Sequence, residues 1–228
     1  MKRAHELFAF QHRASRSPLV ATTWETQSED EGAFLSVAVT NWEMVVTRQA
    51  GGTWLVVRGP ETVATRAAVP RDAEFFGIQF SLGTFMPGLH MRRLVGRGLV
   101  LPPVSGTSFW LDGSAWEVPQ AHNADVFVDR LLGAGLLVHD PAVSAAVDEG
   151  DVRGLSTRSV ERRVARATGL TRGAIRQIRR AERAVELLGS GVPPLEVARR
   201  SGYADQPHLT RSLKRFVGQT PSQIAAGP

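Results

Sequence analysis

Apolar and polar residues alternate along much of the first half of the chain, which is the pattern of β-strands that bury one face. Residues 42–48 and 53–58 alternate in this way on either side of Gly51 and Gly52, so they predict a β-hairpin. Further runs rich in Val, Thr, Trp and Phe are bounded by Gly, Pro and Asp. The predicted strands are residues 18–27, 33–40, 42–48, 53–58 and 73–80. Together they predict an antiparallel sheet or a small barrel.

Beyond residue 80 the pattern becomes irregular. Residues 83–94 predict a short irregular or helical segment, and residues 99–119, rich in Gly, Pro and Ser, predict a packed loop. A helix is expected through residues 126–134, with Asn123 or Asp125 as its N-cap.

From residue 156 onward, apolar residues recur about every 3.6 positions, the spacing of amphipathic helices. The predicted helix starts are Ser156, Thr171, Pro194 and Asp205, and the predicted stops are Gly169, Gly189, Ser201 and Gly218. The side chains expected to be buried are Val160, Val164, Ala167, Ile175, Ile178, Ala181, Val185, Leu188, Leu209, Leu213 and Phe216. This part of the chain is therefore predicted to be entirely helical.

The last well-marked pair of these helices has the layout of a helix-turn-helix. A short helix over residues 194–200 is followed by a turn at Gly202 and a second helix over residues 206–217. When the apolar stripe is buried, the second helix presents to solvent Gln206, His208, Thr210, Arg211 and Lys214. These side chains donate hydrogen bonds or carry positive charge, as contacts to DNA base edges and phosphates require.

The same pattern occurs twice, offset by 49 positions. The offset aligns Val160, Arg162, Val164, Gly169, Thr171 and Ile175 with Leu209, Arg211, Leu213, Gly218, Thr220 and Ile224. Because apolar, arginine, glycine and threonine positions all coincide, we expect two similar helices. Two such helices on a rigid connector would fit successive major grooves on one face of a duplex, about 34 Å apart.

Charge is distributed unevenly along the chain. Residues 151–228 hold 15 basic and 6 acidic side chains, a net charge of +9, whereas residues 1–150 hold 12 and 16, a net charge of −4. Nearly all the basic residues are arginines, which favour bidentate contacts to phosphate or guanine. One module is thus predicted to meet a polyanion, although a solvated helical surface has the same composition. The charge shift and Pro141, which ends the preceding helix, place a domain boundary near residues 140–152.

Composition excludes several classes of protein. The 228 residues suffice for one large domain or two small ones, and 43% hydrophobic residues predict a packed core. The sequence has no run of about 18 apolar residues, so no membrane-spanning helix is predicted. Residues 1–6 are not followed by the apolar stretch of a signal peptide. The absence of cysteine excludes disulfides, thiolate metal sites and cysteine nucleophiles. The expected location is the cytoplasm.

No catalytic group of residues stands out. The six histidines lack metal-ligand spacing, so a metal site would have to be assembled through space, and no serine lies in a G-x-S-x-G motif. We therefore expect no enzymatic activity and no cofactor. The five tryptophans either line a ligand pocket or, as is commoner at strand positions, form the core of the barrel.

A resemblance to the AraC/XylS family of bacterial transcription regulators lies in residues 155–163, 180–188, 197–216 and 218–221. The stretch 197–216 is highly specific. More loosely, residues 42–46, 58–62 and 76–80 resemble the sensor or dimerisation regions of a subgroup of such regulators. The resemblance implies a sequence-specific DNA-binding transcription regulator with a β-rich regulatory domain before its DNA-binding domain.

The resemblance also implies which residues meet DNA, because base contacts in the family come from the exposed N-terminal half of each recognition helix. Those positions are Arg158, Glu161 and Arg162 in the first helix and His208 and Arg211 in the second. Arg162 and Arg211 would contact a guanine edge or a phosphate. Glu161 would accept a hydrogen bond from a cytosine amine or else orient Arg158.

Other polar residues of the two helices are assigned less direct roles. Ser156, Thr171, Gln206 and Lys214 are expected to act as caps or as phosphate contacts. A solvated helix face is expected for Arg166, Arg172 and Arg176.

One segment departs from the family pattern. The second recognition helix follows a short bracing helix, but the corresponding residues before the first, 146–152, are acidic and contain glycine. The first helix-turn-helix is therefore predicted to be truncated, with a recognition helix that is braced differently or mainly holds phosphates.

The predicted fold class is α+β. Residues 1–140 form an antiparallel β-sheet or barrel-like domain that ends in a helix, and residues 141–228 form an all-α tandem helix-turn-helix domain. The expected partners are double-stranded DNA and, through the first domain, a small-molecule effector or a second subunit in a homodimer, but no membrane. Two alternatives remain: a small-molecule-binding β-barrel or enzyme with a basic helical interaction module, and a regulator that acts through protein contacts.

Overall fold

Residues 9–140 hold the strands, and residues 141–148 and 154–227 hold helices alone, so the predicted fold class is confirmed. The computed structural model describes residues 9–148 and 154–227, and the prediction about residues 1–6 lies outside them. The strands are β1 (Gln11–Arg13), β2 (Val20–Ser28), β3 (Gly32–Ser36), β4 (Glu43–Gln49), β5 (Gly52–Arg58), β6 (Thr65–Val69), β7 (Ala73–Phe80), β8 (Thr84–Phe85), β9 (Gly98–Leu101), β10 (Pro103–Ser105), β11 (Ser108–Leu111), β12 (Ser114–Glu117) and β13 (Val138–His139). The helices are α1 (Met91–Leu94), α2 (Ala124–Gly133), α3 (Pro141–Asp148), α4 (Thr157–Thr168), α5 (Arg172–Gly189), α6 (Pro194–Arg200), α7 (Gln206–Phe216) and α8 (Pro221–Ala225).

The largest sheet has six antiparallel strands in the order β1-β2-β7-β4-β5-β9. The predicted hairpin is confirmed, since β4 pairs with β5 from Glu43 opposite Arg58 to Gln49 opposite Gly52. One face of this sheet is apolar and is buried in the hydrophobic core through Met44, Val46, Leu55, Val57, Phe76 and Ile78. The alternation of side chains along each strand therefore directs every second residue into the core.

The opposite face of the sheet encloses a cavity. A separate antiparallel pair, β3 with β6, lies across from it, and strand β6 has no counterpart among the predicted strands. Residues of β2, β4, β5 and β7 form one wall and residues of β3 and β6 form the other. The cavity is partly open to solvent, and its volume is ≈ 520 Å³.

Residues 98–117 form four short strands, so the prediction of a packed loop was wrong there. Strands β11 and β12 form a hairpin around Asp112 and Gly113, whose φ angles are 47° and 79°. Two consecutive positive φ values are typical of a type I′ turn, for which Asp-Gly is a preferred sequence. Phe109 and Trp116 of this hairpin are buried in the core.

The predicted helices of the last third are confirmed together with their caps. The side chains of Ser156, Thr171 and Asp205 each accept a hydrogen bond from the backbone N–H three residues further on. Gly169 and Gly218, with φ of 74° and 76°, provide the left-handed residue that ends α4 and α7. All the side chains expected to be buried are buried, except that Val185 is half-buried. No helix within the described ranges is long and apolar enough to cross a bilayer.

A helix also precedes the first recognition helix. Helix α3 packs against α4 and α5, and it buries Val143, Ala146 and Val147. The prediction of a truncated first unit was therefore wrong for residues 146–148, while residues 149–152 lie outside the described ranges. The domain boundary between residues 140 and 141 stays a prediction.

Candidate functional site

Helices α4 and α7 are structural equivalents, as the repeat in the sequence predicts. Each buries its central apolar residue completely, Val164 in α4 and Leu213 in α7. Each ends at a left-handed glycine that is followed by a threonine N-cap, Thr171 before α5 and Thr220 before α8. The two units therefore present equivalent faces, and Arg162 and Arg211 are exposed at corresponding positions.

The predicted site residues of α4 lie at its N-terminal half. Ser156, Arg158 and Arg162 are exposed, and Ser156 also caps the helix by accepting from the N–H of Ser159 at 3.2 Å. Glu161 is half-buried and accepts from Nε of Arg172 at 2.7 Å, so its partner is Arg172 and not Arg158.

The predicted site residues of α7 have a similar arrangement. Gln206, Arg211 and Lys214 are exposed. His208 is half-buried: its ring meets the edge of Tyr203 with centroids 5.2 Å apart, and its Nδ1 lies 3.5 Å from the backbone N of Ala204. His208 thus packs against the turn before α7, whereas the side chains of Arg211 and Lys214 are exposed.

The turn before α7 is fixed by side chains from two helices, α5 and α7. The hydroxyl groups of Tyr203 and Ser212 are 3.0 Å apart, which ties the turn to α7. Arg180 of α5 donates to the carbonyl of Gly202 at 3.3 Å and lies over the Tyr203 ring at 5.4 Å. Burial raises the pKa of the Tyr203 phenol, so it stays protonated and can keep this hydrogen bond.

Cationic side chains of this region fall into two groups. In the first group each makes a contact: Arg163 with Asp140, Arg172 with Glu161, Arg179 with Asp148, Arg199 with Glu196, Arg180 with the carbonyl of Gly202, Arg166 with the ring of Phe85, and Arg215 with the ring of Phe216. In the second group the side chains are exposed and have no ion pair or hydrogen bond within residues 9–148 and 154–227: Arg158, Arg162, Arg176, Arg183, Arg200, Arg211 and Lys214. All four cations among the predicted site residues belong to the second group.

The prediction of a solvated face for three other arginines holds only in part. Arg176 is exposed, but the Arg172 side chain is only 15% exposed in its pair with Glu161. Arg166 lies over Phe85 at 5.2 Å, so it contacts the first domain. Sequence periodicity places these residues on the outer face of a helix, whereas neighbouring elements in the fold cover part of that face.

Residues 151–227 match the family model described as a helix-turn-helix domain. The chain carries an AraC-type helix-turn-helix domain. Over 95 residues, 41% of this chain, it is 32% identical to the HTH-type transcriptional regulator RipA of Corynebacterium glutamicum. The aligned part spans 29% of that relative, so the chain covers less than a third of its length.

Similar solved structures include ToxT from Vibrio cholerae. One ToxT crystal structure has a TM-score of 0.39 and 11% identity, with 96% of this chain and 98% of that chain covered. Another, bound to (E)-4-(8-methylnaphthalen-1-yl)but-3-enoic acid, has a TM-score of 0.41, 11% identity and coverage of 96% and 98%.

The AraC-type domain is attached to the first domain at the C-terminal ends of both recognition helices. At the end of α4, Gly169 lies so close to α1 that an added Cβ would be 2.8 Å from the backbone of Met91. Arg163 also donates to Asp140 at 2.9 Å. The first recognition helix is therefore held by backbone packing and an ion pair.

Backbone hydrogen bonds hold the end of α7. The N–H of Ala38 donates to the carbonyl of Phe216 at 2.7 Å, and the N–H of Ala64 donates to the carbonyl of Arg215 at 2.8 Å. These carbonyls belong to the last turn of α7, where no intrahelical donor is available. Leu35 of β3 packs against Gly218, and Leu35 also lines the cavity.

A charged cluster lies at one end of that cavity. Arg58 is placed between two carboxylates: its Nη1 is 3.5 Å from Oε1 of Glu43, and its Nη2 is 2.7 Å from Oε1 of Glu61. Trp24 donates from Nε1 to Oε2 of Glu43 at 3.0 Å, and Ser36 donates to Oε2 of Glu61 at 2.9 Å.

Sequence reasoning does not find this cluster, although it leaves open that tryptophans line a pocket. Trp24 lines the cavity, whereas Trp42 and Trp116 belong to the hydrophobic core. Glu43 and Arg58 stand on the polar face of a strand, where an open sheet would leave them in water. Their cross-strand pairing is the one signal in the sequence, because the hairpin register brings opposite charges together.

Proposed function

We propose that this protein is a sequence-specific DNA-binding transcription regulator whose helices α4 and α7 enter adjacent major grooves of a duplex. The observation that carries the proposal is the sorting of cations. Arg158, Arg162, Arg211 and Lys214 are exposed and unpaired within the described residues, while several neighbouring arginines are bound within the protein. Unpaired arginines are available for phosphates and guanine edges.

The roles follow from position on each helix. Arg158, Arg162, His208 and Arg211 are proposed to reach base edges, and Glu161, held by Arg172, to accept from a cytosine amine. Phosphate contacts are proposed for three further residues near the helix ends and outer faces: Ser156, Gln206 and Lys214.

We also propose that the cavity of the first domain binds a small-molecule effector. Its volume of ≈ 520 Å³ lies within the range of about 300–1,000 Å³ that is usual for ligand pockets. Strands β3 and β6 wall the cavity, and the chain beside them donates the two hydrogen bonds to α7. Occupancy of the cavity would therefore be felt at the second recognition helix.

Selection of bound fragments from a random DNA pool by the full-length chain tests the DNA-binding proposal. We expect an enriched motif with two half-sites about 10 base pairs apart, one turn of the duplex. Absence of any enriched motif would contradict the proposal and favour a basic module that contacts proteins. The expectation of a homodimer stays a prediction, and a two-fold symmetric motif would support it.

A further inference from the structure

We propose that the cavity of the first domain takes a compact hydrophobic cation, such as an arylalkylamine, whose charged group is held by Glu43 and Glu61. The inference rests on the proposed role of the cavity as the effector site. It specifies the chemical class of the effector.

The walls of the cavity fit an apolar or aromatic body. Trp24, Phe34 and Phe75 line it together with valines of the central strands. The indole of Trp24 can lie flat on the sheet because Gly77 stands opposite it, where an added Cβ would be 2.1 Å from the ring. Aromatic faces attract cations as well as apolar groups, most strongly when water is excluded.

The polar end of the cavity carries an excess of negative charge. The titratable residues that line the cavity are Glu43, Glu61, Arg58 and His12. Arg58 contacts both carboxylates, and one guanidinium cannot neutralise two of them. An ammonium group would complete the charge balance, whereas a carboxylate ligand would add a third negative charge to a partly desolvated site.

Glu43 is the carboxylate most in need of a second cation. Its side chain is 17% exposed, and burial raises the pKa of Glu43 despite the opposing effects of Arg58 and the Trp24 hydrogen bond. Its Oε1 lies 3.5 Å from Arg58, a distance that leaves the oxygen free to accept from a closer donor. A ligand ammonium at hydrogen-bond distance would stabilise the ionised carboxylate.

Three probes with the same ring system, similar size and different charge test the inference. Binding to the full-length chain is measured by titration calorimetry with 2-naphthylmethylammonium, 2-naphthylmethanol and 2-naphthoate. We expect the ammonium to bind at least about tenfold more tightly than the alcohol, because it makes a charge-assisted hydrogen bond, and the carboxylate to bind least. Equal binding of all three, tightest binding of the carboxylate, or no binding of any would overturn the proposal.

Variants locate the effect in the cavity. Glu43→Gln keeps an acceptor for Trp24 and should reduce ammonium affinity about tenfold while leaving the alcohol unchanged. Glu74→Gln, an equal charge change at an exposed position of β7, should leave all three affinities unchanged. If circular dichroism shows that Glu43→Gln does not fold, Glu61→Gln carries the same expectation. An unchanged ammonium preference in the folded variant would overturn the assignment.

The outcome is separable from that of the DNA selection. If the DNA motif is enriched but the ammonium probe is not preferred, the effector class is wrong and the DNA-binding function stands. If the ammonium probe is preferred but no motif is enriched, the cavity assignment stands and the DNA-binding function is wrong.

Discussion

At the scale of single residues, the same side chain type serves two purposes in the AraC-type domain. Arg163 and Arg179 are half-exposed or exposed and form ion pairs, each of which contributes about 0–1 kcal/mol to stability. Arg162 and Arg211 have no such partner within the described residues, so their full hydrogen-bonding capacity is available. An arginine that has no partner within the protein is therefore a better indication of where a nucleic acid would bind than the presence of an arginine alone.

Replacement of Arg211 by alanine should weaken binding to the selected motif by about 1–3 kcal/mol, the usual cost of losing one base contact. Fluorescence anisotropy at fixed salt measures this loss. Arg71→Ala removes the same charge from the first domain, where Arg71 pairs with Asp30 at 3.2 Å, and it should change DNA affinity little. Equal losses in the two variants would show that net charge alone governs binding.

At the scale of elements, the first domain holds the two recognition helices at their C-terminal ends. Helix α4 ends against the backbone of α1, and α7 ends on hydrogen bonds from Ala38 and Ala64. The two attachments differ in stiffness. Backbone against Gly169 cannot yield easily, whereas the side chain of Leu35 against Gly218 can adopt another rotamer.

Three glycine-to-alanine variants should separate these attachments. All three glycines have positive φ, so each change costs about 1 kcal/mol in backbone strain. Gly191→Ala, in open space, should show little more than that. Gly218→Ala should lower stability further. Gly169→Ala should lower it most, by about 1–3 kcal/mol beyond the strain, because the added Cβ forces two backbone segments apart. Thermal unfolding midpoints give the order, and three equal shifts would contradict it.

At the scale of the whole molecule, the C-terminal end of α7 is the place where the second recognition helix contacts the sheet domain. Leu35 faces the cavity on one side and contacts Gly218 on the other. A ligand that displaces β3 would therefore move the end of α7 relative to α4, whose own attachment lies on α1. Since α5 joins the two units as a single helix, the distance between the recognition helices is expected to be fixed as long as no ligand displaces β3.

Insertion of five base pairs between the half-sites of the selected motif should reduce affinity to that of a single half-site. About half a turn of duplex then separates the grooves, and the second helix would face the wrong side of the DNA. The control in the same anisotropy assay is a site of the original length in which five base pairs between the half-sites are replaced by other base pairs. Retained affinity after the insertion would mean that only one helix reads the DNA.

The helical third is the part of this protein that its sequence predicts best. Caps such as Ser156, Thr171 and Asp205 act on N–H groups three residues away, and the apolar stripes repeat within each helix. Such signals are local, so they need no knowledge of the rest of the fold. The four strands of residues 98–117 were missed because short strands between Gly, Pro and Ser have little local signal.

By itself the sequence determined the boundaries of α4 to α7, their buried stripes, the central hairpin and the equivalence of α4 and α7, because those depend on neighbours within a few residues or on the repeat. Only the tertiary structure decided which arginines are paired and that the polar face of the hairpin encloses a cavity. Glu43 and Arg58 belong to a solvated face until β3 and β6 cover it. That cover joins residues far apart in the chain, and no local pattern encodes it.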